Sequence, residues 1–180
     1  FVKNNILTPK PFIKINGEPM FYHASKCMPQ YDKFIYICQK KHLKNINISN
    51  FLKLKNINSY ELISIDQITK GQAETVLLSE NFIQKDDRIF VHSCDSYIFF
   101  DKQKYQNFIN SNDIVIFTTK PNNYHLENIN SFGWVSSKNQ KILNITCKKP
   151  ASNNPSNDNV IVGTFAFNNK LSFVNSIKNI

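Results

Sequence analysis

Asp95 stands where an apolar run ends. Ile89, Phe90 and Val91 read as a buried strand, small Ser93 and Cys94 follow, and Tyr97, Phe99 and Phe100 lie just beyond the carboxylate. A carboxylate at a strand end suits Mg2+, which takes one or two protein carboxylates and leaves its other positions to water and phosphate oxygens. The same residue type also caps turns, and position alone leaves both readings open. Lys10 lies between Pro9 and Pro11, whose rings stiffen the backbone on either side. An ammonium on such a segment can stabilise a phosphate with little reorganisation; the plain alternative is a solvated lysine in a turn. Gly71, Gln72 and Ala73 open a stretch of helical spacing. Backbone N–H groups at a helix start can face an anion or a base edge, and a simple loop before a helix is the other reading. Gly133, Gly163 and the pair Lys148-Lys149 before Pro150 fall in the last third of the chain. Glycine in a strand marks a bulge or a close approach of a ligand; ordinary turns with surface lysines would look the same.

These residues need elements to hold them. Strands are expected at 12–15, 33–39, 60–66, 88–94 and 113–119, with helices between them at Pro19–Met28, 43–55, Gln72–Phe82 and 102–111. The run 33–39 (KFIYICQ) is continuously apolar, as a central parallel strand should be. Asn16-Gly17 reads as a turn after the first strand, and Pro19 suits a first helical turn. Beyond residue 120 the pattern turns β-rich, with strands at 131–137, 141–147 and 160–167, a polar loop at 151–159, and a last helix near 173–179 capped by Ser172. Alternating strands and helices predict an α/β fold: three layers, α/β/α, around a mostly parallel, doubly wound sheet. In such sheets ligands bind at the carboxyl ends of the strands, and Asp95 lies at one.

Composition narrows the function. The chain has 180 residues, 41% of them apolar, a net charge of +9 and four cysteines. That length suits one domain over 1–180 with a substantial core. No apolar run approaches the ~20 residues of a membrane span, and the first ten residues lack the apolar region of a signal peptide. A cytoplasmic protein with reduced, mostly buried thiols is therefore expected. The positive charge is nearly all lysine, with Arg88 the single arginine. Arginine is the usual reader of bases and bidentate clamp of phosphates, so no nucleic-acid partner is expected. Asn, Ile, Lys and Phe abound, as AT-rich codons would give. There is no G-x-G-x-x-G, no G-x-x-x-x-G-K-[ST] and no G-x-S-x-G in the chain, which excludes the usual dinucleotide cradle, P-loop and nucleophile elbow.

Taken in order, five segments resemble those of the sugar-phosphate nucleotidyltransferases. TPKPFIKINGEPM (8–20) resembles the family's L-P-K-P…G-K-P-M segment, KGQAETVLL (70–78) its G-x-A stretch, and IFVHSCDSYIFFD (89–101) the strand ending in a metal-binding Asp. FGWVSSKNQKILNITCKKP (132–150) resembles the Y-G…E-K-P segment, and VGTFAF (162–167) the G-hydrophobic-Y strand after it. The resemblance implies a nucleotide-diphospho-sugar transferase (GT-A-like) fold. It also implies attack by an acceptor's phosphate on the α-phosphate of an NTP with release of pyrophosphate, in nucleotide-sugar synthesis for surface polysaccharide. It implies Mg2+ on Asp95, Lys10 beside the triphosphate, Gly71, Gln72 and Ala73 at the nucleotide, and Gly133, Lys148, Lys149 and Gly163 at the acceptor. Its partners would be an NTP and a phosphorylated small molecule, with homo-oligomer formation open. The chain departs from the pattern in three ways. The Gly-rich G-x-G-(S/T)-R loop is missing, so truncation at the N-terminus is expected. Cys147 or Lys148 stands at the E-K-P glutamate. A second metal-binding Asp is not found, which leaves truncation at the C-terminus open as well, and a catalytically degenerate nucleotide- or sugar-binding domain of the same fold is the alternative reading.

Overall fold

The structure, a computed structural model, describes residues 8–44 and 46–178. Pro9 leads a short 3-10 turn at Lys10–Phe12, so only part of the expected strand 12–15 is extended. β1 (Lys14–Ile15) and β2 (Glu18–Pro19) form a hairpin across Asn16-Gly17. Both turn residues have positive φ, 49° and 83°, the backbone that lets a two-residue turn follow strand twist. Pro19 then starts α1 (Met20–Lys26). The apolar run forms β3 (Phe34–Gln39), which pairs in parallel with β4 (Tyr60–Ile65). The helix expected at 43–55 is two pieces, α2 (Lys40–Leu43) and α3 (Ile48–Leu54), the second capped by the Asn47 side chain.

α4 (Gln72–Leu77) is shorter than expected and passes into a 3-10 turn at Glu80–Phe82. β5 (Ile89–Val91) ends before His92, whose side chain bonds elsewhere. α5 (Lys102–Ser111) starts on an Asp101 cap and leads to β6 (Ile114–Thr119). A helix the hydrophobic pattern does not reveal, α6 (Asn123–Glu127), is set by a reciprocal cap between Asn122 and His125. β7 (Gly133–Lys138), β8 (Lys141–Cys147) and β9 (Asn159–Phe167) supply the β-rich end. α7 (Lys170–Lys178) begins earlier than expected, because the Asn169 side chain, not Ser172, accepts from the first-turn backbone.

β9 organises the second half. It runs antiparallel to β5, β6 and β7, so β5 and β6 are parallel to each other with β9 reversed between them. Successive residues of a strand face opposite sides, and β9 shows the layers directly. Ala166 packs with Tyr105 and Ile109 of α5, whereas Phe167 packs with Phe173 of α7. The sheet is therefore sandwiched between helices, as the α/β/α expectation requires, with mixed strand directions. A separate cluster of Phe12, Phe21, Ile48 and Leu52 packs with Tyr36 and Leu62 of β3 and β4. The polar loop 151–159 is pinned from inside: buried Asp158 accepts from the backbone N–H groups of Ala151 and Ser152, each at 2.9 Å. Cys27 is buried and Cys38 half-buried, but Cys94 and Cys147 are exposed, against the expectation of mostly buried thiols. No described helix is long and apolar enough to cross a membrane.

The first hairpin is tied to its neighbours by charge. Glu18 accepts from Lys26 at 2.8 Å and from Lys55, and both ammoniums lie near the Tyr22 ring. The bonds from Lys26 and Lys55 hold the Glu18 pKa down at about 2, below its ordinary 4.5. A depressed carboxyl pKa stabilises the fold above the unfolded value and loses that contribution as pH falls through the folded one. Glu18→Gln should thus lower the thermal midpoint above pH 4.5, with the gap from the parent closing as pH falls to about 2. Thermal melts across that range check it; a gap independent of pH would show that the pair does not act through ionisation.

Candidate active site

The site follows from how β9 changes partners. Ile116 of β6 faces Phe165 and Thr118 faces Ile161, so two steps on β6 span four on β9. The surplus residues form a bulge at 162–164, and Gly163 at its centre has φ of 72°. A side chain is strained in that conformation, which explains the glycine. β6 follows one flank of β9 past the bulge. On the other flank β5 pairs with 165–167 and β7 with 159–160. β5 and β7 thus approach end to end along one flank, and the open stretch of β9 between them is the bulge.

The chain leaving β5 keeps its register there. His92 Nδ1 meets Thr164 Oγ1 at 2.7 Å, and Ser93 lies against Gly163, its Cβ 3.5 Å from where a Gly163 side chain would begin. From the other side, Gly133 opens β7 against Ile161, where an added Cβ would come within 3.0 Å of the Ile161 side chain. Gly133 therefore has a packing reason of its own. Lys148, next after β8, has φ of 59° and donates its N–H to Phe132 at 2.9 Å, beside Gly133. Lys148 and Lys149 are exposed there.

Of the sequence candidates, Lys10 meets Asp95 directly, and Gln72 meets Gly163 beside it. The Lys10 ammonium pairs with one carboxylate oxygen, and the Ser93 hydroxyl donates to the other. Burial pushes the Asp95 carboxyl up, but the bonds from Lys10 and Ser93 and the charge of Lys10 outweigh it and leave its pKa below the ordinary value. Asp95 is thus ionised and aimed at a cation. Gln72, first in α4, donates its side-chain N–H to the Gly163 carbonyl at 2.9 Å and ties the 71–73 segment to the bulge. Ala73 is exposed on the same turn. Gly71 is fully extended (φ 174°, ψ −178°), and a Cβ there would meet nothing within 4 Å. Among the described residues, nothing requires glycine at 71.

Sequence reasoning missed His92, Ser93 and Thr164 as parts of the site. His92 is half-buried, and burial lowers its pKa against the raising effects of the Ser96 carbonyl and the Asp95 charge. A polar residue directly after an apolar strand, followed by Ser two before an Asp, is the available signal, and it is faint. Among the described residues no group of three or more His, Cys, Asp or Glu could hold a metal ion. A single carboxylate fits Mg2+ all the same, because that ion draws most of its ligands from phosphate and water. Asp95 already receives one cation, the Lys10 ammonium.

A strand bulge with a carboxylate at the carboxyl end of the neighbouring strand, inside an α/β/α sandwich, defines an α/β fold with its site at a sheet crevice. The sequence profile of the Nucleotidyl transferase family matches residues 6–179, and the chain belongs to that family. A comparison with curated proteins gave no match. Among solved structures, the fold is similar to a nucleoside-diphosphate-sugar pyrophosphorylase from Vibrio cholerae, with TM-score 0.74 and 17% identity over 99% of this chain and 72% of that one. It is also similar to apo UDP-glucose pyrophosphorylase (TM-score 0.65, 17% identity, 97% and 73%). A third such structure is HddC from Yersinia pseudotuberculosis (TM-score 0.63, 18% identity, 96% and 70%).

The glycines separate by cause. Gly163→Ala should cost about 1–2 kcal/mol, because it places a side chain in the left-handed region. Gly71→Ala should cost less than about 1 kcal/mol, the scale of a cap exchange. Urea unfolding checks both; equal losses would mean that the bulge conformation is not what fixes Gly163.

Proposed function

We propose that the protein transfers NMP from an NTP to a sugar phosphate or similar phosphorylated acceptor, releasing pyrophosphate, in nucleotide-sugar synthesis for surface polysaccharide. The observation that carries this reading is the Lys10–Asp95–Ser93 group facing the Gly163 bulge, with Gln72 tied to the same bulge. Family membership supports the reaction class. A further structure of HddC is described as complexed with GMP-PN, so a protein of this fold holds a nucleotide analogue.

In this reading Asp95 would hold Mg2+, which when bound supplies charge neutralisation across phosphate oxygens. Lys10 turns from Asp95 to the triphosphate. Gly71, Gln72 and Ala73 bind the base and ribose, and the bare backbone at Gly71 lets the nucleobase approach closely. Gly133, Lys148, Lys149 and Gly163 face the acceptor, whose phosphate oxygen attacks the α-phosphorus as pyrophosphate leaves. No covalent nucleophile is needed, because positioning and electrostatics carry phosphoryl transfer. The reaction would draw on the NTP pool, which fits work in the cytoplasm.

The test incubates the purified protein with Mg2+, each NTP and a panel of phosphorylated sugars and small alcohols, and reads pyrophosphate. Release with one pair is expected. Asp95→Asn should reduce kcat/KM by about 10²–10³ and Lys10→Met by a comparable factor, the scale of losing one preorganised charge. Gly71→Ala should raise KM for the NTP with little change in unfolding. Nucleotide bound without turnover, by calorimetry, would instead favour a binding domain of the same fold; the replacement of the expected glutamate by Cys147 or Lys148 leads in that direction. No nucleotide binding would overturn the transferase reading and leave only a sugar-binding domain.

A further inference from the structure

We propose that His92 is a positioning residue that sets the turn carrying Asp95, an inference that rests on Asp95 as the cation-binding carboxylate. The His92 ring has a polar neighbour at each nitrogen. Nδ1 lies 2.7 Å from Thr164 Oγ1, and Nε2 lies 3.0 Å from the Ser96 carbonyl and 3.3 Å from Cys27 Sγ. A carbonyl only accepts, so Nε2 carries the proton and donates to Ser96. The neutral ring then accepts at Nδ1, and the fully buried Thr164 hydroxyl donates to it. Cys27 donates its own S–H to the Ala24 carbonyl at 3.0 Å, which leaves sulfur lone pairs facing Nε2–H. The tautomer is fixed by its neighbours, as it is in imidazoles that serve to orient other groups.

The consequence lies in what these partners carry. Thr164 belongs to the bulge of β9, Cys27 closes α1, and Ser96 is the residue after Asp95. The backbone bond that would otherwise close this turn, Ser96 N–H to the Ser93 carbonyl, is long at 3.5 Å. The turn is therefore held chiefly from outside, by the imidazole. Ser93 and Lys10 orient the carboxylate, while His92 fixes the backbone from which it projects. Groups that hold a metal ligand in place are commonly worth about 10–100-fold in metal affinity.

Replacements at 92 can separate the two bonds. Gln places an amide N–H near the position of Nε2 and can keep the Ser96 bond. Asn reaches only as far as Nδ1 and can keep the Thr164 bond. Phe keeps the ring and loses both. The readout is water-proton relaxation of Mn2+ with an equimolar mixture of ATP, CTP, GTP, UTP and dTTP, beside a thermal midpoint for each variant. The expected result is a loss of bound Mn2+ in Asp95→Asn and about 10-fold weaker binding in His92→Phe and His92→Asn. Recovery is expected in His92→Gln, whether or not its thermal midpoint recovers. Binding by all three His92 variants equal to the parent's, with Asp95→Asn impaired, would overturn the role of His92 and leave the functional reading standing. So would His92→Gln no better than His92→Asn. Parent-like binding by Asp95→Asn would remove the reading of Asp95 and the inference with it.

Discussion

The bulge at Gly163 is the constraint on which the rest of the site depends. A strand with regular pairing on both flanks would leave no room beside it. β9 escapes this because its surplus residues let β5 pair beyond the bulge and β7 before it, on the same flank. The price of that geometry is one residue at positive φ, and glycine accepts it without the Cβ clash that other residues meet. The bulge is then used twice: the Gly163 carbonyl receives Gln72, and the Thr164 hydroxyl meets His92. Four segments distant in sequence, around residues 10, 72, 93 and 163, meet because one strand changes partners.

The same strand explains why the crevice is firm. β9 contributes Ala166 to the cluster with α5, Phe167 to the cluster with α7, and Val160 to the cluster around Trp134. Burying side chains on both faces fixes its register, since a slip of one residue would exchange the two faces. The groups at the mouth are held more weakly. Lys10 is half exposed in its pair with Asp95, and pairs of that exposure contribute about 0–1 kcal/mol. A rigid floor with a weakly held ion pair above it would let Asp95 exchange Lys10 for another cation, as the proposed reading requires.

Much of this was legible in the sequence where a local cause sets the structure. The apolar run of β3, the amphipathic period of α5 and the turn at Asn16-Gly17 depend on neighbours along the chain. Asp95 stood out because an apolar strand ends shortly before it, and Lys10 because two prolines enclose it, but the pair they form could not be read from either stretch. The parts that were not legible depend on distant partners. Nothing near His92 in the sequence announces Thr164, and the reversed direction of β9 cannot be read from its own residues. The cap at Asn169 took the place assigned to Ser172: two capping residues lay within one turn, and the Asn169 side chain accepts from the Ser172 N–H. α6 was hidden because its start is set by the Asn122–His125 exchange and not by an apolar period.

The glycines show why residue type alone could not rank the site residues. Glycine at 163 answers to backbone geometry and at 133 to the Ile161 side chain, so each has a cause inside the fold. Gly71 has neither: its backbone is extended and its surroundings are open. Among the described residues, the fold would let this position, next to the residue that bonds the bulge, carry a side chain. Of the candidates read from the sequence, Gly71 is therefore the one whose identity the described fold explains least.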